Sequence, residues 1–194
     1  MNAKKLSFLL LILVAVACTN RSTSSEQDEM RHWNNVLQQI NALLLENKAR
    51  QTLDLAKQTL PEILESAEKN GTTDTLIYYA RKIFNACGNN YINTKQYKDG
   101  IDYMDSIGNH PLIREHCPHE LLSFKAGLNQ LYGNNPEAVR LAEDYLQLPV
   151  CTSANDFIRQ AEIISGVYMY SGNNLPKAIQ ILEKAIDVYR KGGN

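Results

Sequence analysis

The chain has 194 residues, 20 basic and 21 acidic side chains, four histidines and a formal net charge of −1. It shows no block of like charge and no basic stripe, which argues against nucleic acid as a partner. Four cysteines are present; with Cys18 set aside for the reason given below, three remain and permit at most one internal disulfide, with Cys117 and Cys151 as the candidate pair.

The first segment is built for export. Lys4 and Lys5 precede the apolar block "LSFLLLILVAVA", which ends at Ala17. As a helix this block covers about 18 Å, too short for a hydrocarbon core about 30 Å thick. It reads as a signal-peptide core, with Ala15-Val16-Ala17 as the small residues at a cut before Cys18. The segment resembles a bacterial lipoprotein signal, which implies that residues 1–17 are removed and that Cys18 carries the lipid, palmitate among its acyl chains. Ordinary secretion through the A-x-A site is the alternative. Each buried CH₂ of an acyl chain contributes ~0.8 kcal/mol, so several chains hold a protein on a membrane almost permanently. Thr19 follows the cysteine in place of an aspartate, which favours the outer membrane of the cell envelope. Residues 18–29 form the lipidated cysteine and a polar tether, and 30–194 form one domain.

From Met30 onward the apolar spacing is helical and no stretch alternates long enough for a strand. "WNNVLQQINALLL" places Trp33, Val36, Leu37, Ile40 and Leu44 at steps of three and four. Turn signals then recur: "ENK", "NGTTD", "NTKQ", "GNHP", "GNNP", "LPVCTS" and "SGNN". Asn135 before Pro136, and Asn174 before Pro176, are placed to cap helix starts. Cys87 falls on an apolar helical face as a small core residue. The cluster "HPLIREHCPHE" brings together His110, His116, Cys117 and His119, but its spacing matches no common zinc arrangement and its two prolines mark a connection between helices.

The helices come in related pairs. Trp33-x₂-Val36-Leu37-x₂-Ile40 leads to Ala49-x₃-Leu53-x₂-Ala56 and Pro61; Phe84-x₂-Cys87-Gly88-x₂-Tyr91 leads to Tyr97, Gly100 and Met104. A third set is Leu122, Ala126, Gly133, Ala138 and Tyr145, and a fourth is Ile164-Ser165-x₂-Tyr168 followed by Ala178-x₃-Leu182-x₂-Ala185, with one extra residue in its turn. This pattern resembles the tetratricopeptide (TPR) repeat. The resemblance implies an all-α fold, a right-handed α-α superhelix of about four helical hairpins stacked side by side. Small residues at Gly88, Gly100, Ala126, Ala138, Ser165 and Ala178 then stand where paired helices, with axes about 8–10 Å apart, come closest. The last helix, "KAIQILEKAIDVYRKGGN", keeps a broad apolar surface, and an array that continues beyond Asn194 is the favoured reading of it.

No nucleophile elbow, phosphate loop or zinc-protease signature occurs, and Glu62, Glu65 and Glu68 read as a solvated helical face. The expected function is non-catalytic, with no cofactor: a lipid-anchored envelope protein whose array mediates protein–protein contact as a scaffold or assembly factor. The alternative is the extracytoplasmic sensory region of a larger signalling protein such as a sensor histidine kinase. In the resembled family the first helix of each pair lines a concave surface that holds a protein or peptide partner. Carried over by helical phase, that surface presents Asn34, Gln38, Lys82, Asn85, Asn89, Asn93, Gln130, Arg159, Glu162 and Tyr170. Each carboxamide offers a donor and an acceptor, which suits the amides of an extended peptide.

Overall fold

A computed structural model describes residues 27–149 and 154–192, and every regular element among them is a helix. The signal segment, Cys18 and Cys151 lie outside the described residues. Helix α1 spans 27–45, so the last three residues read as tether are already helical, and Glu29 accepts a hydrogen bond from Ser66 Oγ at 2.7 Å. There follow α2 (Ala49–Asn70), α3 (Asp74–Asn93), α4 (Tyr97–Ile107), α5 (Pro111–His116), α6 (Pro118–Tyr132), α7 (Asn135–Gln147), α8 (Ala154–Tyr170) and α9 (Leu175–Gly192).

Local chemistry sets the ends of these helices. The Thr73 side chain accepts the Leu76 amide at the start of α3, and Asp74 lies in the first turn, where the helix dipole favours a negative charge. Asn174 accepts the Lys177 amide at 3.1 Å and caps α9. The cap of α7 is Asn134 rather than Asn135, whose Oδ1 instead accepts from Ser171 Oγ at 2.7 Å. The stretch read as a plain connection contains a six-residue helix: Pro111 opens α5, His110 Nδ1 accepts the Leu112 amide, and Pro118 opens α6 with only Cys117 between the two helices.

Four turns share one device. Asn47, Lys95, Gly133 and Asn173 have positive φ, and each stands two residues before the next helix begins. The left-handed residue lets the chain fold back so that a following amide reaches the end of the helix behind it. These bonds are Lys48 to Leu43, Gln96 to Tyr91, Asn134 to Asn129, and Asn174 to Tyr168 across one extra residue.

The turns also fix register. Five residues after each left-handed residue comes Thr52, Gly100, Ala138 or Ala178, all buried. Counted from the left-handed residue, Thr52 rather than Ala49 stands level with Gly100, and on α1 Ile40 rather than Leu37 stands level with Gly88. The pattern anchored on Trp33 slips by three residues because an apolar stripe recurring every three or four residues looks nearly the same after one helical turn.

Neighbouring helices pack in pairs, most closely α2 with α3, α6 with α7 and α8 with α9. Helix α6 is the junction and also touches α3, α4, α5 and α8. Close approach at α6 needs small residues: a Cβ on Gly88 of α3 would stand 2.4 Å from the Phe124 ring of α6, and one on Gly127 of α6 would stand 2.8 Å from Ile163 of α8. Two apolar cores result. One joins α1 to α6 around Trp33, Phe84, Tyr91 and Phe124; the other joins α6 to α9 around Tyr145, Phe157, Ile164 and Tyr168. Arg81 and the buried Glu120 pin α3 to α6 by an ion pair of 3.2 Å, and Arg81 also donates to the His116 carbonyl at 2.5 Å.

Candidate protein-docking groove

An open groove of about 480 Å³ runs along α3. Leu37, Ile40, Asn41 and Leu44 of α1 form one wall. Lys82, Asn85, Ala86, Asn89, Asn90 and Asn93 of α3 form the other, with Tyr78 nearer its start and Arg159 of α8 completing the lining. A second cavity of about 300 Å³ shares Leu44, Asn90 and Asn93 and carries the depression on to Asn47 and Lys48 in the turn after α1 and to Ala49 at the start of α2.

The positions expected from the sequence separate into two groups. Lys82, Asn85, Asn89, Asn93 and Arg159 come together in the groove. Asn34 and Gln38 are exposed on α1 and do not line it. Gln130 sits half-buried on α6 with its Oε1 toward Gly166 of α8, Glu162 is exposed on α8, and Tyr170 is exposed at the end of α8. Sequence reading missed Tyr78, Asn41 and Asn90, and it assigned Leu37, Ile40 and Leu44 to the core stripe alone. Asn90 carried a signal in its place directly after Asn89. Asn41 carried one too, three residues after Gln38 on the polar side of α1.

Charge in the groove has one sign. Lys82, Arg159 and Lys48 line the two cavities, and no carboxylate does so among the described residues. Lys48 is paired with Glu46 at 2.6 Å, while Lys82 lies 5.7 Å from the centre of the Tyr78 ring, within cation–π range.

Behind α3 lies a cluster with the opposite character. Cys87 is fully buried and its Sγ is 3.8 Å from the Tyr103 hydroxyl. Burial pushes its thiol up to about 12 and also raises the Tyr103 and Tyr91 hydroxyls, while a hydrogen bond to Tyr91 raises Lys57. A thiol this hard to ionise is a poor nucleophile, so the cluster reads as core. The histidines of 110–119 are spent separately. His110 caps α5, and His119 packs edge-on against Tyr145 with its Nε2 2.6 Å from the Pro149 carbonyl. Cys117, a free buried thiol, closes the end of α5. No group of three potential metal ligands occurs among the described residues.

Helix α9 carries an apolar face in addition to its buried one. Leu175, Ile179, Ile186 and Tyr189 are exposed and Leu182 is half-exposed, so steps of four and three place them in one stripe. No helix among the described residues is long and apolar enough to cross a membrane. Compared with models of known protein families, with curated proteins and with solved structures, the chain matches none.

Proposed function

We propose that this chain is a non-catalytic, lipid-anchored protein of the bacterial cell envelope, with a TPR-like superhelix of four hairpins that holds another protein as a scaffold or assembly factor. The observation that carries the reading is the groove: five asparagines, Lys82, Arg159 and an apolar wall, open to solvent and drawn from α1, α3 and α8. The common register of the four left-handed turns supports a repeated hairpin as the unit of the array. The anchor rests on the sequence around Cys18 alone, and Thr19 after that cysteine favours the outer membrane.

Two experiments test the proposal. In-cell crosslinking should recover a partner whose yield falls in Asn85→Ala/Asn89→Ala while helix content is unchanged; an unchanged yield removes the groove from the proposal. Metabolic labelling with palmitate should mark the protein and be lost in Cys18→Ser.

The exposed stripe on α9 favours a second reading, in which a further helix packs there and the chain is the extracytoplasmic sensory region of a larger membrane signalling protein. A stop codon directly after Asn194 in the gene would eliminate it.

A further inference from the structure

The open side of α9 has a period of its own. Leu175, Ile179, Leu182, Ile186 and Tyr189 follow one another at steps of four, three, four and three. That is a repeat of about 3.5 residues, the period of a coiled-coil seam, against about 3.6 for a straight helix. In heptad terms Leu175, Leu182 and Tyr189 stand at d, and Ile179 and Ile186 at a. Ala178 and Ala185, at g, are buried in the second core, while Glu183 and Arg190, at e, are exposed on the opposite flank. One helix thus carries two apolar faces, one spent against α8 and one open.

The residue types say what fits the open face. Inside the array, consecutive hairpins meet over glycine, Gly88 against Phe124 and Gly127 against Ile163. The stripe on α9 has no small residue, so a further hairpin of that kind would find no place for close approach. Ile at a with Leu at d is instead the combination that favours two parallel helices. Parallel pairing sets e of one helix beside g of the other, so Glu183 and Arg190 lie beside alanines and no like charges are opposed. An antiparallel pair would set e beside e and bring Glu183 toward its own copy.

We infer that the open face of α9 is covered by α9 of a second copy of this chain, in a parallel two-fold pair. Every residue of the stripe then meets its own counterpart. The stripe leaves roughly 450 Å² open on each copy, or about 900 Å² across a pair, at the lower limit of about 1,000 Å² for a specific interface. A dimer of this size comes apart on dilution, and α9 is uncovered in the single chain. The pairing goes beyond the docking groove, which contains no residue of α9.

Self-crosslinking through single cysteines tests both the occupant and its direction. In the full chain carrying Cys151→Ser, expressed in cells, Leu175→Cys and Tyr189→Cys should each yield a disulfide-linked dimer under mild oxidation, beyond any product of the Cys151→Ser parent. Adding Ile179→Glu/Ile186→Glu should cut each yield about tenfold or more, because carboxylates would be buried in the middle of the seam. Both isoleucines are exposed in the single chain, so the unfolding temperature at high dilution should not fall. Crosslinking only between co-expressed Leu175→Cys and Tyr189→Cys chains would make the pair antiparallel. A product with another protein would give the stripe to that partner. No dimer and a thiol that resists alkylation would mean that a further segment of the same chain covers α9; no dimer and a freely alkylated thiol would leave the face bare. Each of these results, or a yield that survives Ile179→Glu/Ile186→Glu, would overturn the inference.

Discussion

The two cores are filled differently. Among the described residues the α1–α6 core has four alanines in twenty-two buried apolar residues, whereas the α6–α9 core has six in thirteen. Alanine lets helices approach closely but buries little area, and at ~25 cal/mol per Å² less area means less stabilisation. The first core is held by bulk, the second by proximity. The contrast continues at the surface, where α9 leaves Leu175, Ile179, Ile186 and Tyr189 exposed. The end of the molecule around α8 and α9 should therefore open more readily than the end that carries most of the groove.

Phe124 is the place to break this difference. It is 1% exposed, covers Gly88 and meets Phe84 edge-on at 6.1 Å between ring centres. Phe124→Ala should cost about 3–5 kcal/mol by urea unfolding, because Gly88 leaves nothing to fill the space. A loss below 1 kcal/mol would mean that the two cores do not depend on α6. Next comes Arg81→Met, expected to cost about 3 kcal/mol by leaving the Glu120 carboxyl, 2% exposed, without its cation. Gly88→Ala follows at about 1–3 kcal/mol, since a Cβ 2.4 Å from the Phe124 ring forces that ring to move.

Thiol chemistry sharpens the comparison without disturbing the packing. Cys87 and Cys117 both lie in the first core, and burial pushes each up to about 12 from an ordinary value near 9. A thiol raised in this way stabilises the fold fully below about pH 9, and that contribution is lost as pH rises toward 12. In a Cys18→Ser/Cys151→Ser background, alkylation at pH 8 should report opening of the first core only. Amide exchange should then show α8 and α9 exchanging faster than either thiol is labelled. Labelling as fast as that exchange would erase the distinction between the cores.

What the sequence made legible was what helical periodicity and turn chemistry encode. The helical class and the burial of Cys87 followed from spacing, whereas the burial of Gly88 and Ala178 and five of the groove residues followed from the resemblance to the repeat. The register of the first hairpin did not. Trp33 and Ala49 match the repeat pattern by residue type, but counting from Asn47 in its left-handed turn puts the buried Ile40 and Thr52 level with Gly88 and Gly100. Helix α5 was hidden because a six-residue helix has too few apolar repeats to show a period, and only His110 before Pro111 marked its start. Asn90 was hidden for another reason. A buried asparagine looks like part of the polar surface until the fold shows one end tied to Ala86 and the other without a donor among the described residues.

The smallest effect isolates that last point. On α6, Asn134 supplies the hydrogen bond that Asn129 Oδ1 needs, at 3.0 Å, in the turn that closes over Gly133. Asn134→Ala removes the donor and strands a carboxamide oxygen on a residue that is only 3% exposed. It should lower stability by about 1 kcal/mol in urea unfolding, the usual loss when one side of a partly buried hydrogen bond is taken away. The Asn90 oxygen on α3 has no donor among the described residues, so Asn90→Leu should cost nothing. A matching loss at both sites would show that Asn90, like Asn129, is held for structure, and α3 would then have no acceptor to spare for a partner.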